Sequence, residues 1–142
     1  MPDIDGDWRS AKRRGPVVVS VCVTCRSPDA DDSDRPGERL LAALREAAAA
    51  AGQEVAIQPV QCLSVCKRPC TAAFSGPDRY TYVFGDLDPN TAASDLLAGL
   101  RTYRDQEHGY MLWRERPEPL RRGIVARIPP LDWRPEDGRH PR

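Results

Sequence analysis

The sequence predicts an α/β domain built on a mixed β-sheet. Three observations carry that prediction. Residues 16–22 form a β-branched run of strand length, two later stretches repeat apolar residues at helical spacing, and two short strand-like runs follow residue 70. The predicted order is β-α-β, then a cysteine-bearing loop, then β-β-α. An early βαβ unit followed by a hairpin and a helix gives an α/β sandwich whose sheet has both parallel and antiparallel neighbours.

The first strand, Pro16-Val17-Val18-Val19-Ser20-Val21-Cys22, is apolar almost throughout, which predicts burial on both faces. A polar loop over 26–37 follows. Leu40, Leu41, Leu44, Ala47, Ala48 and Ala51 then lie on one helical face, predicting a helix over 37–51. Ser33 or Asp34 is the expected cap, Pro36 falls in the first turn, and Gly52 stops the helix. Val55, Ile57 and Val60 predict a second strand over 54–60. Residues 71–75 and 79–84 read as a hairpin about Gly76-Pro77-Asp78. Asp88 is the expected cap of a last helix, with Pro89 at its first position and Leu87 as a staple. Its buried stripe is Ala93, Leu96, Leu97, Leu100 and Tyr103, and it fades near Arg104.

The domain is therefore expected over 16–105, preceded by a disordered leader over 1–15. Residues 106–142, rich in Pro and Arg, are expected to be an extended tail that docks through Trp113, Leu131 and Trp133. The whole chain has 142 residues, enough for one domain plus tails. Its 21 Lys/Arg balance its 21 Asp/Glu. No global field then favours nucleic acid or an anionic membrane. No apolar run approaches a membrane span, and the first fifteen residues lack the apolar core of a secretory signal. The expected compartment is the cytoplasm, where five cysteines argue against a disulfide framework. His108 and His140 fall in the tail region and read as surface or linker residues. No phosphate-binding glycine loop and no supported Ser/His/Asp set appears, so neither nucleotide binding nor hydrolysis is expected.

The chemistry lies in the cysteines. Cys22 and Cys25 end the first strand, and Cys62 and Cys66 follow the second. Parallel strands place both C-terminal ends at one edge of a sheet, so the two pairs can meet. Soft thiolates select zinc, copper(I) or an iron–sulfur centre. Structural zinc sites favour two tight Cys-x-x-Cys knuckles, whereas the second pair here has three intervening residues. A [2Fe–2S] rhomb needs one ligand pair for each iron. Zn²⁺ in an adaptor or metallochaperone stays open as an alternative. So does a dithiol oxidoreductase using Cys22 and Cys25, although a reactive Cys-x-x-Cys usually opens a helix and this one does not. A lone strand cysteine can also be simple core packing. Lys67, Arg68 and Arg26 are placed to offset the charge of a thiolate-bound metal.

Cys62-Leu63-Ser64-Val65-Cys66-Lys67-Arg68-Pro69-Cys70, with the strand Arg79-Tyr80-Thr81-Tyr82-Val83-Phe84, resembles the thioredoxin-like [2Fe–2S] ferredoxins over roughly residues 16–104. The resemblance implies a thioredoxin-like βαβ-ββα sandwich with a mixed sheet. It implies a [2Fe–2S] cluster held by Cys22, Cys25, Cys62 and Cys66, with Cys70 as alternate ligand. It also implies an electron carrier or redox accessory rather than an enzyme, a redox partner protein, and a homodimer. More narrowly, Val21-Cys22-Val23-Thr24-Cys25-Arg26 and the Cys62–Cys70 loop look like a bacterial family of predicted metal-binding proteins of unknown function, often linked to cobalamin biosynthesis.

Overall fold

The computed structural model describes residues 16–26, 35–53 and 55–134. They form a five-stranded mixed sheet with helices packed against it. The strands are β1 (Val18–Cys22), β2 (Ala56–Val60), β3 (Ala72–Ser75), β4 (Thr81–Phe84) and β5 (Ile124–Ile128). The helices are α1 (Pro36–Ala50), α2 (Ala92–Asp105) and the short α3 (Glu118–Arg122). Sheet order is β2-β1-β3-β4-β5. β1 and β2 are parallel, and every other neighbouring pair is antiparallel. The mixed α/β class is therefore as expected. No helix among the described residues is long and apolar enough to cross a membrane.

One face of the sheet carries the core. Val19 pairs with Ile57 and Phe74, and Phe74 with Tyr82. One pleat on, Val21 meets Ala72, and Ala72 meets Phe84. Because alternate strand residues share a face, these side chains form one apolar surface. Leu40 and Leu44 of α1 and Leu96 and Leu100 of α2 are wholly buried against it. Phe74 lies at its centre, 5.1 Å from the Phe84 ring and 5.5 Å from the Tyr103 ring. Strand β1 is buried almost throughout, as its continuous apolarity predicts.

Helix α1 begins with Pro36 in its first turn, and its chain leaves through Gly52 at φ 63°. Arg35 is its cap residue; Ser33 and Asp34, expected there, lie outside the described residues, as does the leader over 1–15. Helix α2 starts later than expected. The Asp88 carboxylate accepts from the Asn90 backbone N–H at 2.9 Å, and its carbonyl accepts from Thr91 and Ala92. Asp88 thus closes a turn ahead of the helix instead of capping it. Local side-chain to backbone bonding of this kind competes with helix initiation.

The largest departure is C-terminal. Residues 107–128, expected as extended tail, contain two 3₁₀ turns, α3 and β5, and β5 extends the sheet beside β4. The prolines there bound short elements. Pro117 and Pro119 open α3, and Pro129 follows β5 directly. Of the three expected docking side chains, Trp133 packs on Tyr80 (5.4 Å) and His108 (5.0 Å). Trp113 is 59% exposed and Leu131 95% exposed.

Arg79 joins this C-terminal segment to the sheet. It is 2% exposed, and its guanidinium donates to the carbonyls of Tyr103 (2.9 Å) and Gln106 (3.2 Å). It therefore satisfies open carbonyls at the end of α2 and opposes the negative end of the helix dipole. The Tyr103 hydroxyl in turn donates to the Tyr80 carbonyl at 2.5 Å. Arg79→Ala should leave buried carbonyls unpaired and a void, costing about 3 kcal/mol. Urea denaturation measures it; a loss under 1 kcal/mol would remove Arg79 from this role.

Candidate metal centre

The cysteines gather at one sheet edge because of strand direction. Parallel register pairs Cys22 with Val60, so both chains leave the sheet on the same side. β3 runs antiparallel to β1, with Val21 opposite Ala72, so Cys70 and Thr71 enter the sheet at that same edge. The Cys22 N–H donates to the Thr71 carbonyl at 3.1 Å, and the Val23 N–H to the Val60 carbonyl at 2.9 Å. The segment that follows β1 and the single loop that joins β2 to β3 therefore meet here, and between them they hold all five cysteines.

Their sulfur atoms fall into two groups. Cys22, Cys25 and Cys70 are buried, while Cys62 and Cys66 are exposed. Cys22 and Cys25 share a side-chain hydrogen bond. The two neighbours of Cys62 both reach Cys22: the Leu63 N–H bonds to its sulfur, and the Gln61 carbonyl lies 3.9 Å from it. The Thr24 hydroxyl also donates to the Gln61 carbonyl. Cys62 is thus held next to the first pair, its sulfur accepting from the Ser64 N–H at 3.2 Å. Cys66 lies four residues on along the same exposed loop. No three or more His, Cys, Asp or Glu side chains among the described residues come close enough to hold a metal ion. The soft sulfur donors fit a thiolate-bound metal, and both pairs leave the sheet at the same end of the parallel strands β1 and β2.

Burial pushes the Cys22 thiol up, but hydrogen bonds from Cys25 and from the Leu63 and Thr24 N–H groups outweigh it. The result is a thiol lowered to about 7. Burial raises Cys25, against a hydrogen bond from Thr71. Burial, with the charges of Cys25 and Cys22, pushes Cys70 up to about 12. Cys70 therefore stays protonated near neutral pH, and Cys22 is the buried sulfur most ready to serve as thiolate.

Arg68 does not face the sulfurs as expected. It pairs with Asp86 at 2.7 Å and donates to the Ile124 carbonyl at 3.2 Å, tying the cysteine loop to β5. Lys67 and Arg26 remain exposed at the edge. Three contributors are not signalled by sequence spacing. Thr71 touches Cys25, the backbone around Cys62 touches Cys22, and Gly37 lets α1 approach the Cys22 carbonyl. The Cys70-Thr71 dipeptide opening a strand was the one available hint.

Fold and site together define a thioredoxin-like α/β domain with its cysteines at one end of the sheet, on the segment after β1 and the β2–β3 loop. The chain belongs to the family described as protein of unknown function (DUF1636), whose model matches residues 19–130. Its fold is similar to a thioredoxin-like [2Fe–2S] ferredoxin from Aquifex aeolicus. The TM-score is 0.53 at 15% identity, covering 83% of this chain and 98% of that one. The wild-type thioredoxin-like [2Fe–2S] ferredoxin from Aquifex aeolicus, in a 1.5 Å crystal structure, gives 0.47 at 18% identity, covering 78% and 97%. No curated protein matches the chain.

Proposed function

We propose that this protein is a small electron carrier or redox accessory that binds a [2Fe–2S] cluster through Cys22, Cys25, Cys62 and Cys66. The observation that carries the reading is the placement of Cys62 between two residues that both contact the Cys22 sulfur. Bound there, the cluster would supply one-electron exchange. The chain's own part is to present thiolates, to donate N–H groups to sulfur from Leu63 and Ser64, and to keep the first pair out of water. A redox partner protein and a second copy of the chain are the partners of this reading. The outer edge of β5 supports the second copy, since it meets no further strand among the described residues. Service in cobalamin metabolism is supported by the family resemblance alone.

The protein purified without oxygen should be brown, with iron and sulfide in equal amounts and a visible spectrum bleached by dithionite. A colourless protein filled with zinc would replace this reading by a zinc adaptor. The Cys22–Cys25 hydrogen bond favours one second reading, a dithiol oxidoreductase. That reading requires a metal-free protein that reduces insulin disulfides through these two residues.

A further inference from the structure

We infer that Thr71 is a positioning residue for the first cysteine pair, holding the Cys25 sulfur as a metal ligand. The inference rests on the thiolate-metal reading above and extends it to a residue outside the cysteine set. Thr71 is wholly buried, and its hydroxyl lies 3.5 Å from the Cys25 sulfur. Its backbone N–H bonds to the same sulfur, and its carbonyl accepts the Cys22 N–H at 3.1 Å. One residue therefore fixes Cys25 by its sulfur and Cys22 by its backbone. A buried hydroxyl needs a partner, and here that partner is sulfur.

Direction follows from the ligand's charge. A protonated thiol can donate to the hydroxyl, but a metal-bound thiolate has no proton, so Thr71 must be the donor. Donation withdraws electron density from sulfur. It stabilises the thiolate against protons and the reduced state of an iron–sulfur centre against oxidation. Threonine suits the place because it is wholly buried with its hydroxyl against the sulfur. Valine keeps the shape and removes the donor. Serine keeps the donor.

The test compares wild type, Thr71→Val and Thr71→Ser, all purified without oxygen and checked for fold by circular dichroism. Thr71→Ala replaces Thr71→Val if the latter misfolds. If wild type carries iron and sulfide, the midpoint potential of Thr71→Val should fall below wild type. Thr71→Ser should return to the wild-type value. If wild type carries zinc, Thr71→Val should bind zinc about tenfold more weakly, the loss of one charge-assisted hydrogen bond, and Thr71→Ser within twofold. Equal values for wild type and Thr71→Val overturn the role of Thr71 and leave the metal reading standing. A wild type that takes up neither metal overturns both.

Discussion

Gly37→Ala should unfold the protein or cost more than about 4 kcal/mol. A β-carbon at residue 37 would lie 1.7 Å from the Cys22 carbonyl oxygen, 2.8 Å from its carbon and 3.1 Å from the Val23 α-carbon. All three are backbone atoms, so no side-chain rotation relieves the clash. Helix α1 cannot back away, because Leu40 and Leu44 are wholly buried against the sheet. Moving the Cys22 backbone instead would break its bond to Thr71 and displace the first cysteine pair. Gly52→Ala is the control. It has open space but a φ of 63°, so it should cost only about 1 kcal/mol of backbone strain. Urea denaturation of both variants, with metal content, checks the contrast. Gly37→Ala within 1 kcal/mol of wild type would show that α1 does not approach Cys22 in this way.

Serine substitution of each cysteine should divide the five into four and one. Cys22→Ser, Cys25→Ser, Cys62→Ser and Cys66→Ser should each lose most of the bound metal. Cys70→Ser should retain it. The Cys70 thiol is 2% exposed and pushed up to about 12, so a metal would have to displace a tightly held proton there. Its replacement puts a hydroxyl into an apolar site, and about 1–3 kcal/mol of stability should be lost. Cys62 and Cys66 are exposed, so their serine variants should match wild type when metal-free. They should fall below it only when wild type is loaded, since metal binding adds to folding stability. Thermal unfolding with and without a chelator reads that difference. If Cys70→Ser empties the site while Cys66→Ser fills it, Cys70 is the fourth ligand.

Much of the fold is legible because local pattern and tertiary demand agree. The valine run of β1 is apolar on both faces and is buried. The leucine and alanine spacing of α1 matches the surface it covers, and Gly52 ends it with a left-handed residue. Patterns were less informative where short elements sit between prolines. Ile124–Ile128 is only five residues long, and its pairing with β4 lies forty residues away in sequence. Asp88 and Pro89 carry the marks of a helix start, yet the Asp88–Asn90 turn takes the chain first. Arg68 reads as a counter-charge for sulfur, but Asp86 and the Ile124 carbonyl of β5 compete for its guanidinium and hold it.

The site divides in the same way. Chain order alone shows that two cysteine pairs follow two strands that a βαβ unit makes parallel, and therefore that both pairs share one edge. That conclusion needs only strand direction. Which sulfurs are buried is set by the folded arrangement, because burial depends on the neighbours that sheet order supplies. β3 is inserted beside β1, which carries Cys70 and Thr71 to Cys22 and Cys25 and leaves Cys62 and Cys66 exposed earlier in the same loop. Hydrogen bonds to sulfur come from Thr24, Leu63, Ser64 and Thr71, residues whose types are common and whose spacing to their partners varies. Such contacts arise from chain crossings and leave no periodic trace in the sequence.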